Sequence, residues 1–113
     1  MTGTQVPPNT TVPQIFARLA ARGPAPTLRR TSGTYEFDIE NEGQWFVKLD
    51  HGTPTLEQRA DHPDCTIVCS ASDFIEMAQG TRNLTTTFLQ GRLKYKGDLA
   101  FGLTFRRLLP VTA

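Results

Sequence analysis

Residues 33–52 read GTYEFDIENEGQWFVKLDHG, two runs of alternating character joined by a turn. Tyr35, Phe37 and Ile39 share one face, and Glu36, Asp38 and Glu40 share the other. A period of two over this length is the signature of a half-buried strand. After Asn41, Glu42 and Gly43, the residues Trp45, Val47 and Leu49 alternate with Phe46, Lys48 and Asp50. A short glycine-containing loop between two such runs predicts a β-hairpin. Its apolar face needs a cover.

Downstream, His51, Gly52 and Pro54 turn the chain into a short third strand near Thr55 to Gln58. The polar stretch from Asp61 to Asp64 precedes a fourth strand, Cys65 to Ser70, and up to this point the sheet reads as antiparallel. Ser70 and Asp73 mark a helix start, and Phe74, Ile75, Met77 and Ala78 follow until Gly80 ends it. Asn83 caps a shorter helix carrying Leu84, Phe88 and Leu89, which Gly91 ends. In residues 92–96 Leu93 and Tyr95 point inward from a fifth strand, with Arg92, Lys94 and Lys96 outward. The final segment 99–109, LAFGLTFRRLL, reads as one helix and is apolar over more than one stripe. Upstream, Thr11 and Gln14 form a capping box for an amphipathic helix carrying Val12, Ile15, Phe16 and Leu19, which Arg22 and Gly23 stop.

The resulting order predicts an α+β domain over residues 11–110. A roughly five-stranded, largely antiparallel sheet is covered on one face by about four helices. Residues 1–10, polar with Pro7 and Pro8, are expected to form a flexible leader, and residues 111–113 a tail.

Twelve Lys and Arg against eleven Asp and Glu leave a formal charge of +1, too little for a nucleic-acid footprint. No apolar run reaches the roughly 18 residues of a membrane span, and no signal peptide is legible, so a cytoplasmic protein is expected. Cys65 and Cys69 lie on one strand face about 13 Å apart, too far for a disulfide. Buried thiols are the reading. Asp61, His62, Asp64 and Cys65 are ligand-type residues without a recognised zinc spacing, and neither His51 nor His62 has a nucleophile setting. Arg92, Lys94 and Lys96 either face lipid headgroups or pair with Glu36, Asp38 and Glu40 if those strands adjoin; the pairing is favoured.

The hairpin 33–52 with its single Trp, the stretch 64–80 (DCTIVCSASDFIEMAQG) and above all 88–108 (FLQGRLKYKGDLAFGLTFRRL) resemble the sterol carrier protein type 2 domain family. The last stretch is similar to that family's F-x-x-G-[KR]-L-x-aromatic-or-aliphatic-x-G-[DN] pattern. The resemblance implies an apolar tunnel between sheet and helices that holds a lipid. By position its walls would be Phe16, Leu19, Phe74, Met77, Phe88, Leu93, Leu99, Leu103 and Phe105. It implies non-enzymatic binding of a sterol, fatty acyl chain or other apolar molecule, with intracellular transfer of that molecule as the role such binding would serve. It implies no cofactor, at most transient membrane contact, and a monomer or homodimer. The other reading is an assembly role beside an enzyme that handles an apolar substrate, with the spare apolar face of the last helix as the interface.

Overall fold

The computed structural model describes residues 11–109, so the expected leader, Pro110 and the tail lie outside the described residues. Helix α1 (Val12–Ala21) leads to a 3-10 turn at Pro26–Leu28 and a meander of β1 (Gly33–Ile39), β2 (Gly43–Asp50) and β3 (Thr53–Glu57). Then come β4 (Cys65–Cys69), α2 (Ala71–Gln79), α3 (Leu84–Leu89), β5 (Lys94–Gly97), α4 (Leu99–Leu103) and a 3-10 segment, Thr104–Leu108. The expected α+β architecture, with helices over one face of a five-stranded sheet, is the one observed.

Each helix starts where a side-chain oxygen takes an orphan backbone N–H. Thr11 Oγ1 accepts from Gln14 N at 3.4 Å while Thr11 N donates to Gln14 Oε1 at 3.0 Å. Ser70 Oγ accepts from Asp73 N (3.1 Å), Asn83 Oδ1 from Thr86 N (2.9 Å) and Asp98 Oδ1 from Phe101 N (3.0 Å).

The strand order is β3-β2-β1-β4-β5. All neighbours are antiparallel except β1 and β4, which run parallel with Tyr35 opposite Cys65 and Ile39 opposite Cys69. This corrects the antiparallel reading of the first four strands. Residues 58–64 look like a hairpin loop, but they cross the sheet and deliver β4 to the free edge of β1. Turn chemistry sets where a chain reverses, whereas the edge a strand joins depends on which partner buries its apolar face.

The last helix also differs from the uninterrupted one expected. It is α-helical to Leu103 and then tightens to 3-10. Thr104 Oγ1 donates to the Phe101 carbonyl at 2.5 Å, the local back-bonding by which a threonine competes with the i to i−4 ladder. Gly102, a weak helix former, lies two residues before the change.

Gly97 ends β5 at φ +94°, and a Cβ there would sit 2.6 Å from the Asp64 carbonyl oxygen. That same oxygen accepts from Asp98 N at 2.8 Å, so the chain wraps it too tightly for a side chain.

Candidate apolar ligand layer

The helix-covered face of the sheet is aromatic because the inward positions of β1 and β2 are Tyr35, Phe37 and Trp45, and the helices lay further rings on them. Phe16 of α1 stacks on Trp45 (4.8 Å between centroids) and on Phe74 of α2 (4.9 Å), and tilts against Phe37 (5.3 Å). Phe105 meets Phe37 at 4.7 Å, and Phe101 of α4 stacks on Tyr35 at 4.4 Å. Rings this close in stacked or edge-on geometry contribute about 0.5–1.5 kcal/mol per pair beyond their burial.

Of the nine residues matched to the tunnel wall, Phe16, Leu19, Phe74, Met77, Leu93 and Phe105 are buried in this one cluster. Phe88 and Leu103 are partly buried against it, and Leu99 stands at the surface, 42% exposed. Tyr35, Phe37, Trp45 and Phe101 belong to the same layer and had no place among those nine. Their alternation revealed an inward face; which helix residues they meet is a matter of topology.

Trp45, Phe37, Ile67 and Tyr95 lie in register across β2, β1, β4 and β5, forming one apolar row over the sheet. Both ends of the row carry a buried donor with no partner among the described residues, Trp45 Nε1 and Tyr95 Oη. Trp45 also borders a surface pocket of about 380 Å³ with Gln44, Leu56, Glu57 and Gln58. A second surface pocket, about 430 Å³, lies between the end of α2 and the end of the 3-10 segment, bordered by Met77, Arg82, Leu84, Arg106 and Leu109 among others.

Polar groups inside the layer are few, and most are engaged. Tyr35 Oη lies 2.7 Å from Thr104 Oγ1, whose own proton is on the Phe101 carbonyl, so Tyr35 donates. Burial, opposed by this bond and reinforced by the Cys65 thiol, pushes the Tyr35 phenol up to about 12. Burial likewise pushes Cys65 up to about 11, helped by Asp98 and Asp64, and Cys69 up to about 12, helped by Asp73, Glu40 and Asp38. Neither thiol is a nucleophile near neutral pH. Among the described residues the buried charged or polar ones are Asp73 and Thr87. Asp73 is held by Arg92 and Arg82, and Thr87 donates to the Asn83 carbonyl at 2.7 Å.

The basic residues of 92–96 do not pair with the acidic face of β1, because β4 lies between β5 and β1. Arg92 instead binds Asp73, while Glu36 accepts from Gln44 (3.1 Å) and Thr66 (3.3 Å). Asp64 is occupied by backbone: its Oδ2 accepts from Thr34 N at 2.8 Å. Among the described residues no three His, Cys, Asp or Glu side chains gather as metal ligands, and no helix is long and apolar enough to cross a membrane.

Hydroxysteroid dehydrogenase-like protein 2 of Mus musculus is 30% identical over 91 residues, which take in 73% of this chain but 18% of that protein. The chain thus matches a small part of a much longer relative. Palmitated SCP2L2 from Aedes aegypti shares the fold with a TM-score of 0.69 at 20% identity, covering 88% of this chain and 94% of that one. The inverting sec-alkylsulfatase Pisa1 from Pseudomonas sp. carries the fold within a longer chain, with a TM-score of 0.73 at 21% identity over 88% of this chain and 16% of the enzyme. The family described as the SCP-2 sterol transfer family matches residues 14–110, nearly all of the folded segment, and this chain belongs to it.

Proposed function

We propose that this chain binds a lipid or comparably apolar molecule between its sheet and its helices, and carries it without chemical change. The observation that carries the reading is the composition of that layer: aromatic and aliphatic side chains from α1, α2, α3, β1, β2 and the 3-10 segment converge there, and the buried carboxylate present is tied up by arginines. A layer of this kind offers dispersion and burial to a ligand, about 25 cal/mol for each Å² of apolar surface removed from water, and no acid, base or nucleophile. Family membership and the palmitated state of the Aedes aegypti relative support the same reading. Phe16, Leu19, Phe74, Met77, Phe88, Leu93, Leu103 and Phe105 are the proposed contacts, with Leu99 at the rim.

The test is native mass spectrometry of the chain incubated with a total lipid extract, followed by titration with an apolar fluorophore read through Trp45, the only tryptophan. Retained lipid and saturable quenching of Trp45 are expected. Absence of any bound lipid class, together with no quenching, overturns the proposal.

One observation favours a second reading, attachment to a partner or to a larger enzyme. Leu89 is 76% exposed and Leu99 42% exposed, on α3 and α4, and the Pseudomonas sulfatase carries this fold as part of a longer chain. Light scattering coupled to size-exclusion chromatography separates the two: a monomer retaining lipid supports carriage alone.

A further inference from the structure

We infer that the surface pocket between the end of α2 and the end of the 3-10 segment Thr104–Leu108 docks a partner protein, which inserts an apolar side chain into the recess and sets a neighbouring carboxylate on Arg106. Met77 is the one residue this pocket shares with the proposed lipid contacts, and neither Leu89 nor Leu99 borders it. It is a separate surface, whether or not the apolar layer carries a lipid.

The net charge of +1 hides a segregation. Lys48, Lys94 and Lys96 lie on strands, whereas every arginine but Arg59 lies on a helix, on a 3-10 segment or just beside one. The acidic residues within 11–32 and 70–109 are Asp73, Glu76 and Asp98. Each is taken: Asp73 and Glu76 by arginines, Asp98 by the backbone N–H of Phe101 that it caps. Arg18, Arg22, Arg29, Arg30, Arg106 and Arg107 therefore pair with no carboxylate among the described residues. Arg22 Nη1 donates to the Leu108 carbonyl, which gathers the end of α1 to the same 3-10 segment. The helix side is thus positive, and its guanidiniums are planar forks that match a carboxylate with two bonds at once.

The pocket, about 430 Å³, is where this charge meets an apolar recess. Met77 and Leu84 line it yet are only 3% and 4% exposed, and Leu109 beside them is partly buried, so the three form a floor. Arg82 and Arg106 share the wall. Arg82 spends Nε on Glu76 at 2.8 Å, and its two terminal nitrogens make no hydrogen bond among the described residues. Arg106 is exposed and has no ion-pair partner there. Residues 110–113, which follow Leu109, carry no acidic side chain to answer that charge. Shape then separates two anionic partners. A bilayer is bound by apolar side chains that protrude into it, and the exposed leucines Leu56, Leu89 and Leu99 are all absent from this pocket. A recess with a cationic wall is filled instead by an inserted side chain, the anchor-in-pocket geometry of protein interfaces. The occupant is a protein segment in which Asp or Glu stands beside a Leu, Met or Phe.

The experiment pans a phage library of random peptides against the full chain, then titrates the enriched peptides, made synthetically, by fluorescence polarisation at physiological salt. Enrichment of sequences with Asp or Glu next to an apolar residue is expected, and amide NMR signals of residues 80–84 and 106–109 should shift on adding the best of them. Arg106→Glu should weaken that peptide about tenfold, and so should replacing the peptide's acids by their amides. Arg107→Glu changes an equally exposed arginine that does not border the pocket, and should weaken it less than about threefold. Equal losses for the two variants reduce the site to diffuse charge and overturn the proposal. So do a failure to enrich any peptide, enriched peptides without acids, or shifts confined to other residues. Two further results would reassign the occupant and overturn it as well. One is binding to phosphatidylserine vesicles that Arg106→Glu abolishes while leaving peptide affinity intact. The other is self-association in light scattering that the same variant abolishes, which makes a second copy the occupant.

Discussion

Arg92 holds Asp73 with two nitrogens, Nε 3.1 Å from Oδ2 and Nη2 2.9 Å from Oδ1, so the residue leading into β5 is clamped to the first turn of α2. The Asp73 side chain is 4% exposed, and Arg82 Nε approaches the same Oδ1 at 3.4 Å. Losing one cation leaves a buried carboxylate undercompensated. Arg92→Ala is expected to cost about 1–3 kcal/mol, and Arg92→Ala with Arg82→Ala more than the sum of the single changes. Urea unfolding midpoints check this; strict additivity of the two changes would sink it.

The bond from Tyr35 to Thr104, continued to the Phe101 carbonyl, ties the central strand to the point where the last helix tightens. Thr104→Val keeps the shape and removes the acceptor, leaving the fully buried Tyr35 hydroxyl unpaired. A loss of about 1–3 kcal/mol is expected, and Tyr35→Phe in the Thr104→Val background should restore part of it. Thermal denaturation of the four chains measures the cycle.

Gly102→Ala replaces a poor helix former by the best one, a change worth up to about 1 kcal/mol on an exposed helix. Here the new Cβ falls 2.5 Å from Cys65 Sγ and 2.7 Å from the Tyr95 ring, so α4 must lift off β4 and β5. Overpacking of this kind costs about 1–3 kcal/mol and wins. A reduced melting temperature is expected, partly recovered by Cys65→Ala, which removes the sulfur but not the ring. A raised melting temperature for the single variant would show the contact to be soft.

Cys65 and Cys69 keep their protons to about 11 and 12 against an ordinary thiol value of 9.0. From pH 9 upward the unfolded chain releases protons that the folded chain still holds. The stability tied to the neutral thiols is therefore complete below pH 9 and falls as pH climbs toward 11 and 12. Between pH 9 and 10, below the ordinary tyrosine value of 10.0, the thiols dominate this slope. Denaturation at pH 8, 9 and 10 should show the decline, flattened in the Cys65→Ala, Cys69→Ala variant. Iodoacetamide at pH 8 should label the unfolded chain within minutes and the folded chain far more slowly; equal rates would refute the burial argument.

Local features carried most of the fold. The period-two runs in 33–52, the capping residues Thr11, Ser70 and Asn83 and the glycines at 80 and 91 act within a few residues of themselves, so they are readable one segment at a time. The inward faces of Tyr35, Phe37, Val47, Leu49, Leu93 and Tyr95 followed from the same alternation, and six of the nine residues taken as tunnel wall are buried where sheet and helices meet.

What the tertiary structure alone decided were the relations between segments. The parallel pairing of β1 with β4 depends on where residues 58–64 carry the chain, and Arg92 turning to Asp73 depends on the segment before β5 passing the first turn of α2. The break at Thr104 needed Phe101 and Tyr35 to converge on one hydroxyl. Leu99, matched to the tunnel wall by the family resemblance, stands at the surface because the helix keeps Phe101 and Gly102 against the sheet instead. Alternation told which residues seek the interior; three-dimensional packing chose their partners, because burial is non-directional and only geometry says what meets what.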